Sequence, residues 1–347
     1  KSIIALAVAA GSFAGIAQAD GTTLYGSVRM AYEYDSKGAE VADNAGKVHK
    51  KSTSKFGDNG SRFGIKGTDD LGNGLEAFYK YENRIGDGVA KTKKLYAGLK
   101  GGFGTVSFGK QNTPRDNLTN FSDPTNQFEA DYGRNAVTLS DNSAAYISPN
   151  MGGFTFAAAV VANGTPFGAD ATKSFEISKN SVPAAALGTT DVSNVNRHVD
   201  AYDILAQYEA NGFYAGLGYQ ALNINSEVAD NVKWRNLGLG LGYGNDQFEV
   251  GLLAEQERFK MGDDSVKPLF VRLGGLYNVT PMDAIYASVA HYNPKVDGLK
   301  KVKSGTLGYQ HKFSKRTRVW AEYGHVSKKV KGGDASNKFG LGLRTDF

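Results

Sequence analysis

The chain has no cysteine. No disulfide framework and no thiolate metal site can hold it together, so burial and hydrogen bonding must do so. Long apolar runs are missing as well. Beyond Ala19 no window approaches the ~18 consecutive apolar residues of a spanning helix. Charge of one sign is also scarce: the formal charge is +5 at pH 7, evenly spread, too mild to expect nucleic acid as a partner. The five histidines (His49, His198, His291, His311, His325) are scattered, and none sits in a nucleophile motif or at metal-ligand spacing. No enzyme activity, catalytic residue, metal or cofactor is therefore expected. Proline is sparse at 8 residues, whereas glycine (44), tyrosine (18) and phenylalanine (19) are abundant. Such a composition belongs to a large soluble β protein or to a transmembrane β-barrel, whose hydropathy signal per segment is weak.

Lys1-Ser2, the apolar run from Ile3 to Ala17, and Ala17-Gln18-Ala19 before Asp20 form the pattern of a secretory signal peptide. The expected division is a signal peptide over 1–19, cleaved between Ala19 and Asp20, and one barrel domain over 20–347.

The barrel expectation comes from period-two alternation, the mark of half-buried strands. From Thr22 to Asp35, Leu24, Gly26, Val28, Met30, Tyr32 and Tyr34 share one face, and Tyr25, Ser27, Arg29, Ala31 and Glu33 the other. Sixteen such stretches follow one another, with tight turns at Asp69 to Gly74, Gly101 to Gly104, Asn211-Gly212, Asn245-Asp246, Thr280 to Asp283 and Ser314-Lys315. Asn-Gly is the strongest short hairpin signal. Short connections follow the even strands and long polar ones the odd strands, including Ser36 to Gly60 and Asn163 to His198. This sorting of loops by end predicts a 16-stranded antiparallel transmembrane β-barrel with short periplasmic turns and longer outer loops. Aromatics near strand ends (Tyr32, Tyr34, Tyr79, Tyr81, Tyr208, Phe213, Phe313, Tyr323) are expected to form interfacial girdles.

A lumen of sixteen strands is too wide for side chains to fill. Gln111 to Asp141, the third outer loop, is the expected constriction. It holds neither period for long, and irregular stretches of this length are uncommon unless functional or disordered. Folded inward, it would present Asp116, Asp123, Glu129 and Asp131, with Arg134, to the pore. The facing wall would supply Arg29, Arg62, Lys66, Lys80, Arg84, Lys100, Arg318 and Arg344, with Lys94, Lys312 and Lys338 among the other inward bases. Acids opposite bases in a low-dielectric constriction create a transverse field that orients polar solutes.

The stretches SRFGIKGTDDLGNGLEAFYKYE, LYAGLKGGFGTVSFGKQ, HKFSKRTRVWAEYGH and the terminal LGLRTDF resemble the general trimeric porins of Gram-negative outer membranes, nearest the neisserial-type branch. The resemblance spans the whole chain after the signal segment. It implies a homotrimer in the outer membrane, an inward third loop, passive diffusion of ions and small hydrophilic solutes, and contact with membrane lipid and lipopolysaccharide. It also implies that Phe347 is the aromatic terminus read by barrel assembly machinery. One departure stands out: where the family often carries an arginine, Asn142 to Pro149 has Ala145, so one wall base is missing.

Two other functions compete with the diffusion channel. A substrate-selective anion channel should show a dense arginine ladder, whereas the sequence mixes lysine and arginine with Glu33, Glu76 and Glu82. A surface adhesin barrel would fit the long outer loops. The alternation of glycine with leucine over Gly238 to Gly244 is expected to give a flat outer face for contact between copies.

Overall fold

The computed structural model describes residues 21–42, 48–86, 89–162, 199–224, 232–261, 263–296, 299–328 and 334–347. The expected signal segment, the expected Ala19–Asp20 cleavage site and the connection Asn163 to His198 lie outside these residues.

Eighteen strand segments form one antiparallel sheet. They are β1 (Thr22–Ala42), β2 (Val48–Asp58), β3 (Arg62–Gly72), β4 (Leu75–Gly86), β5 (Val89–Gly101), β6 (Gly104–Asn112), β7 (Leu139–Ile147), β8 (Phe154–Ala162) and β9 (Val199–Ala210). There follow β10 (Phe213–Ile224), β11 (Val232–Gly244), β12 (Phe248–Met261), β13 (Asp264–Val266), β14 (Leu269–Asn278), β15 (Asp283–Asn293), β16 (Val302–Lys312), β17 (Thr317–Val326) and β18 (Ser336–Asp346). β2 and β3 are one barrel strand interrupted at 59–61, since both pair with β1. β13 and β14 are likewise one strand, since both pair with β12 in continuous register. The barrel therefore has sixteen strands, and β1 closes it against β18. At the seam, Gly26 and Phe347 exchange two backbone hydrogen bonds, 3.0 and 3.1 Å.

The alternation in the sequence sorts the two faces. Leu217, Leu239, Leu241, Leu273, Val289, Leu307 and Leu341 stay exposed on one face, forming the apolar band that lipid requires. Tyr34, Tyr79, Phe213, Phe313 and Tyr323 are exposed as well. The opposite face carries the charged and polar positions. Turn chemistry fixes the register: Asn211 (φ 52°) and Gly212 (φ 81°) both take left-handed backbone between Ala210 and Phe213, as a two-residue type I′ hairpin demands.

Two expectations are corrected here. Ser36 to Gly60 is not an irregular loop: β1 runs on to Ala42 and pairs with β2 from Val48 to Asp58. From His49 to Lys55 every residue is polar and exposed, so the strand gave no apolar signal. Nor do the glycines of Gly238 to Gly244 make a contact face on the outside. A Cβ on Gly238 would press on Arg115 and Leu118, and one on Gly240 would come within 2.9 Å of the Leu118 carbonyl. They lie beneath residues 113–138.

Candidate functional site

Residues 113–138, between β6 and β7, pack on the polar face of the sheet and are held by wall side chains at several points. Pro114 opens a short 3-10 helix, Pro114–Thr119, whose Leu118 is completely buried. It joins Leu205, Leu253, Phe270, Tyr292 and Ala290 in an apolar cluster. These wall residues occupy polar-face positions, so the barrel carries a small hydrophobic core only where the segment covers it. Thr113 Oγ1 donates to the Val137 carbonyl (2.7 Å), joining the segment's two legs. Gln220 holds the returning leg from the wall, donating to Val137 O and accepting from its N–H.

Both legs converge on one carboxylate. Glu255 on β12 accepts from Arg115 Nη2 at 3.1 Å and from Arg134 at 2.9 and 3.0 Å. Arg115 also donates to the Asn236 carbonyl and side chain, both at 2.7 Å. Two residues along β12, Glu257 accepts from Asn135 and Trp234, each at 3.1 Å. Further round the barrel, buried Arg272 on β14 meets Asp123 at 3.1 Å.

The tip of the segment is received by Glu322 on β17. Its Oε1 accepts from the Asn126 N–H (2.5 Å) and the Tyr286 hydroxyl (2.8 Å), and its Oε2 from the N–H groups of Gln127 (3.0 Å) and Phe128 (2.8 Å). A carboxylate facing three successive backbone amides is a charge-assisted arrangement, stronger than neutral hydrogen bonds. Beyond it, Asn59 reaches the Asn126 carbonyl and Gln127 the Tyr32 carbonyl, both at 3.2 Å.

Of the expected acids, Asp123 is taken up by Arg272, while Asp116 accepts from Asn112 at 2.6 Å. Burial raises the Asp116 carboxyl, opposed by the positive charges of Arg134, Lys94 and Lys93. Glu129 meets solvent yet is ringed by protein. Desolvation, with the negative charges of Asp123 and Asp131, pushes it up to about 7. Asp131, which shares a hydrogen bond with Glu129, is raised mainly by desolvation. Arg134 is bound to Glu255, and Ala145 is buried between Ser107 and Ala159.

The expected bases are brought together by register. Arg318 lies opposite Arg344, and Arg344 opposite Arg29. On the next strands Arg62 lies opposite Ser27 and Arg84. Five arginines thus cross adjacent strands, a ladder that the mixture of residue types along the sequence conceals. Lys66 faces Lys80 one step along, and Lys100 lies near a turn opposite Glu76. Glu82, buried in this wall, receives the Tyr25 hydroxyl at 2.8 Å, with Lys80 and Lys93 at 3.8 Å and Arg62 at 3.9 Å. Lys93 was not among the expected bases. A bulge opposite Glu82–Asn83 leaves it unpaired in the ladder and lets it reach Glu82 beside Lys94. Of the remaining bases, Lys338 bonds Glu33 (3.1 Å), and Lys312 pairs in register with Arg318.

Sequence reasoning missed Glu255, Glu257, Arg272 and Glu322. Each is a charge at an otherwise alternating strand position, which is the signal that could have found them.

A family model described as Gram-negative porin matches residues 5–331. The chain is 28% identical over 376 residues to the major outer membrane protein P.IB of Neisseria meningitidis, covering 100% of this chain and 99% of that protein. Among solved structures, the anion-selective porin from Comamonas acidovorans superposes with a TM-score of 0.74 at 22% identity, covering 94% of this chain and 99% of the other. The trimer form of OmpT, an outer membrane protein of Vibrio cholerae, gives a TM-score of 0.63 at 18% identity, covering 94% of this chain and 100% of that one. Closed barrel, apolar outer band and these likenesses agree: the chain belongs to the Gram-negative porin family and is an outer-membrane channel protein.

Proposed function

We propose that residues 113–138 lie in the lumen as a constriction, and that the channel passes ions and small hydrophilic solutes between their acids and the basic wall. The observation that carries this reading is geometric: residues 113–138 are anchored on the charged face of the sheet through Glu255, Arg272 and Glu322, and the same face carries the five-arginine ladder. A field set across a low-dielectric gap orients dipolar solutes and slows apolar ones. The mature chain begins at Asp20 after removal of the signal peptide and works as a homotrimer in contact with lipid and lipopolysaccharide, Phe347 serving barrel assembly.

The arginine ladder gives the anion-selective alternative a specific footing. Five arginines and neighbouring lysines outnumber the wall acids Glu82 and Asp346 beside them. Planar-bilayer recording in a salt gradient tests both readings. Linear openings in three equal steps are expected, with a reversal potential on the anion side that moves toward cations in Arg29→Gln/Arg62→Gln. A folded trimer without conductance would overturn the channel itself; a cation-selective wild type would overturn the alternative.

A further inference from the structure

Beneath residues 113–138 the aromatic side chains of the polar face are sealed. Tyr214, Trp234, Tyr286, Tyr292 and Trp320 are at most 4% exposed. Tyr25 on β1 and Tyr96 on β5 differ: they belong to the same face but stand in the basic wall and are only half-buried. Each ring is packed on one side and keeps part of its surface open on a wall of lysines and arginines.

Register places the two rings on either side of one lysine. Lys80 lies opposite Tyr96 and opposite Lys66, while Tyr25 lies opposite Gly64. The Lys80 ammonium is 5.0 Å from the centre of the Tyr25 ring and the Lys66 ammonium 5.8 Å, both within cation–π range. Glycine makes room for the rings. A Cβ on Gly64 would fall 2.7 Å from the Tyr25 phenol, and one on Gly98 would fall 2.6 Å from the tip of Phe78. Phe78 in turn meets Tyr96 edge-on, 6.3 Å between centres, and fixes that ring. Tyr25 is tethered through its hydroxyl to Glu82. Both rings are therefore held in place before any solute arrives, which lowers the ordering cost of binding. Positive charge around them exceeds negative, because three bases, Arg62, Lys80 and Lys93, share the one carboxylate of Glu82.

We propose that Tyr25 and Tyr96, with Lys66, Lys80 and Arg62, form a subsite on the solute path for planar aromatic anions, the arenecarboxylates. The carboxylate is taken by the ammonium and guanidinium groups, and the ring of the solute lies against the tyrosine rings. A saturated ring of the same charge and similar size gains the first interaction but not the second. Aromatic pairing of this kind corresponds to roughly two- to tenfold in affinity. The inference rests on the channel reading above.

The test uses the reconstituted full-length trimer and two probes, benzoate and cyclohexanecarboxylate, with chloride as the internal reference. Block of chloride current by each probe is titrated in wild type, Tyr25→Leu/Tyr96→Leu, Tyr96→Leu and Tyr96→Phe. Wild type is expected to bind benzoate two- to tenfold more tightly than cyclohexanecarboxylate. That ratio should fall to about one in the double variant, fall partway in Tyr96→Leu, and survive in Tyr96→Phe, which keeps the ring. Equal block by both probes in wild type would overturn the subsite, as would a ratio unchanged in Tyr96→Leu; the single variants decide the matter even where the double variant does not fold. Absence of chloride current would instead overturn the channel reading, so the two failures are distinct.

Discussion

Two regions of this barrel use the same residue type to opposite ends. On the covered wall, arginines are mechanical. Arg115 and Arg134 meet on Glu255, and Arg272 meets Asp123, each guanidinium matched to a carboxylate and withdrawn from water. On the basic wall, Arg318, Arg344, Arg29, Arg62 and Arg84 are set beside one another across neighbouring strands, where like charges cost stability. A fold that tolerates such repulsion on one side needs strong fastening on the other. The difference lies in register rather than in composition: matched charges hold the segment, and like charges are stacked along the basic wall.

Breaking the fastening should give the largest effect. Glu255→Gln leaves two buried guanidinium groups without their carboxylate, and loss of one partner of a buried pair typically costs about 3–5 kcal/mol. Thermal unfolding of the trimer should shift down accordingly, and single-channel current should become noisy as both legs of 113–138 loosen. An unchanged melting temperature would mean that the apolar cluster around Leu118 holds the segment unaided.

Glu322→Gln is smaller and sharper. The amide keeps one acceptor oxygen for three backbone N–H groups, so roughly 1–3 kcal/mol of local stability is lost. Only the tip, Asn126 to Phe128, is released. Open-channel conductance should change while global unfolding moves little. Equal shifts in both quantities would show that tip and legs are one cooperative unit.

The smallest effect is a titration. Glu129 is pushed up to about 7 by desolvation and its acidic neighbours, above the ordinary value near 4.5. As pH falls from 8 to 6 it takes up a proton, the segment loses negative charge, and the reversal potential should move further toward anions. Because its folded value is raised, the folded state binds this proton more tightly, so stability falls as pH rises from about 4.5 to 7 and is level above. Glu129→Gln should abolish the pH step in selectivity.

Most of the barrel was legible from the sequence because a strand with lipid on one side and water on the other must alternate, and a two-residue hairpin must have residues such as Asn211-Gly212. The β1–β2 extension was not legible, since an all-polar stretch such as His49 to Lys55 carries no apolar contrast. The individual bases of the wall were readable as inward positions, but not their ladder. Cross-strand neighbours depend on register, and a single bulge at Glu82–Asn83 changes which lysines share a face. The fastening carboxylates were hidden for a related reason: Glu255 acquires meaning only when Arg115 and Arg134, over a hundred positions away, are brought to it.

The seam where Gly26 bonds Phe347 has a consequence in time. Every other seam joins strands that are neighbours along the chain, with only a turn or a loop to close between them. This one joins β1 to β18, and contacts so distant in sequence carry the heaviest loop-closure penalty of any seam in the barrel. The ring is shut only when β18 reaches β1, and without that seam the sheet is open, with two bare edges. Bare strand edges are templates for pairing with other chains, and the β1–β18 seam, with Phe347 at its end, is what removes them.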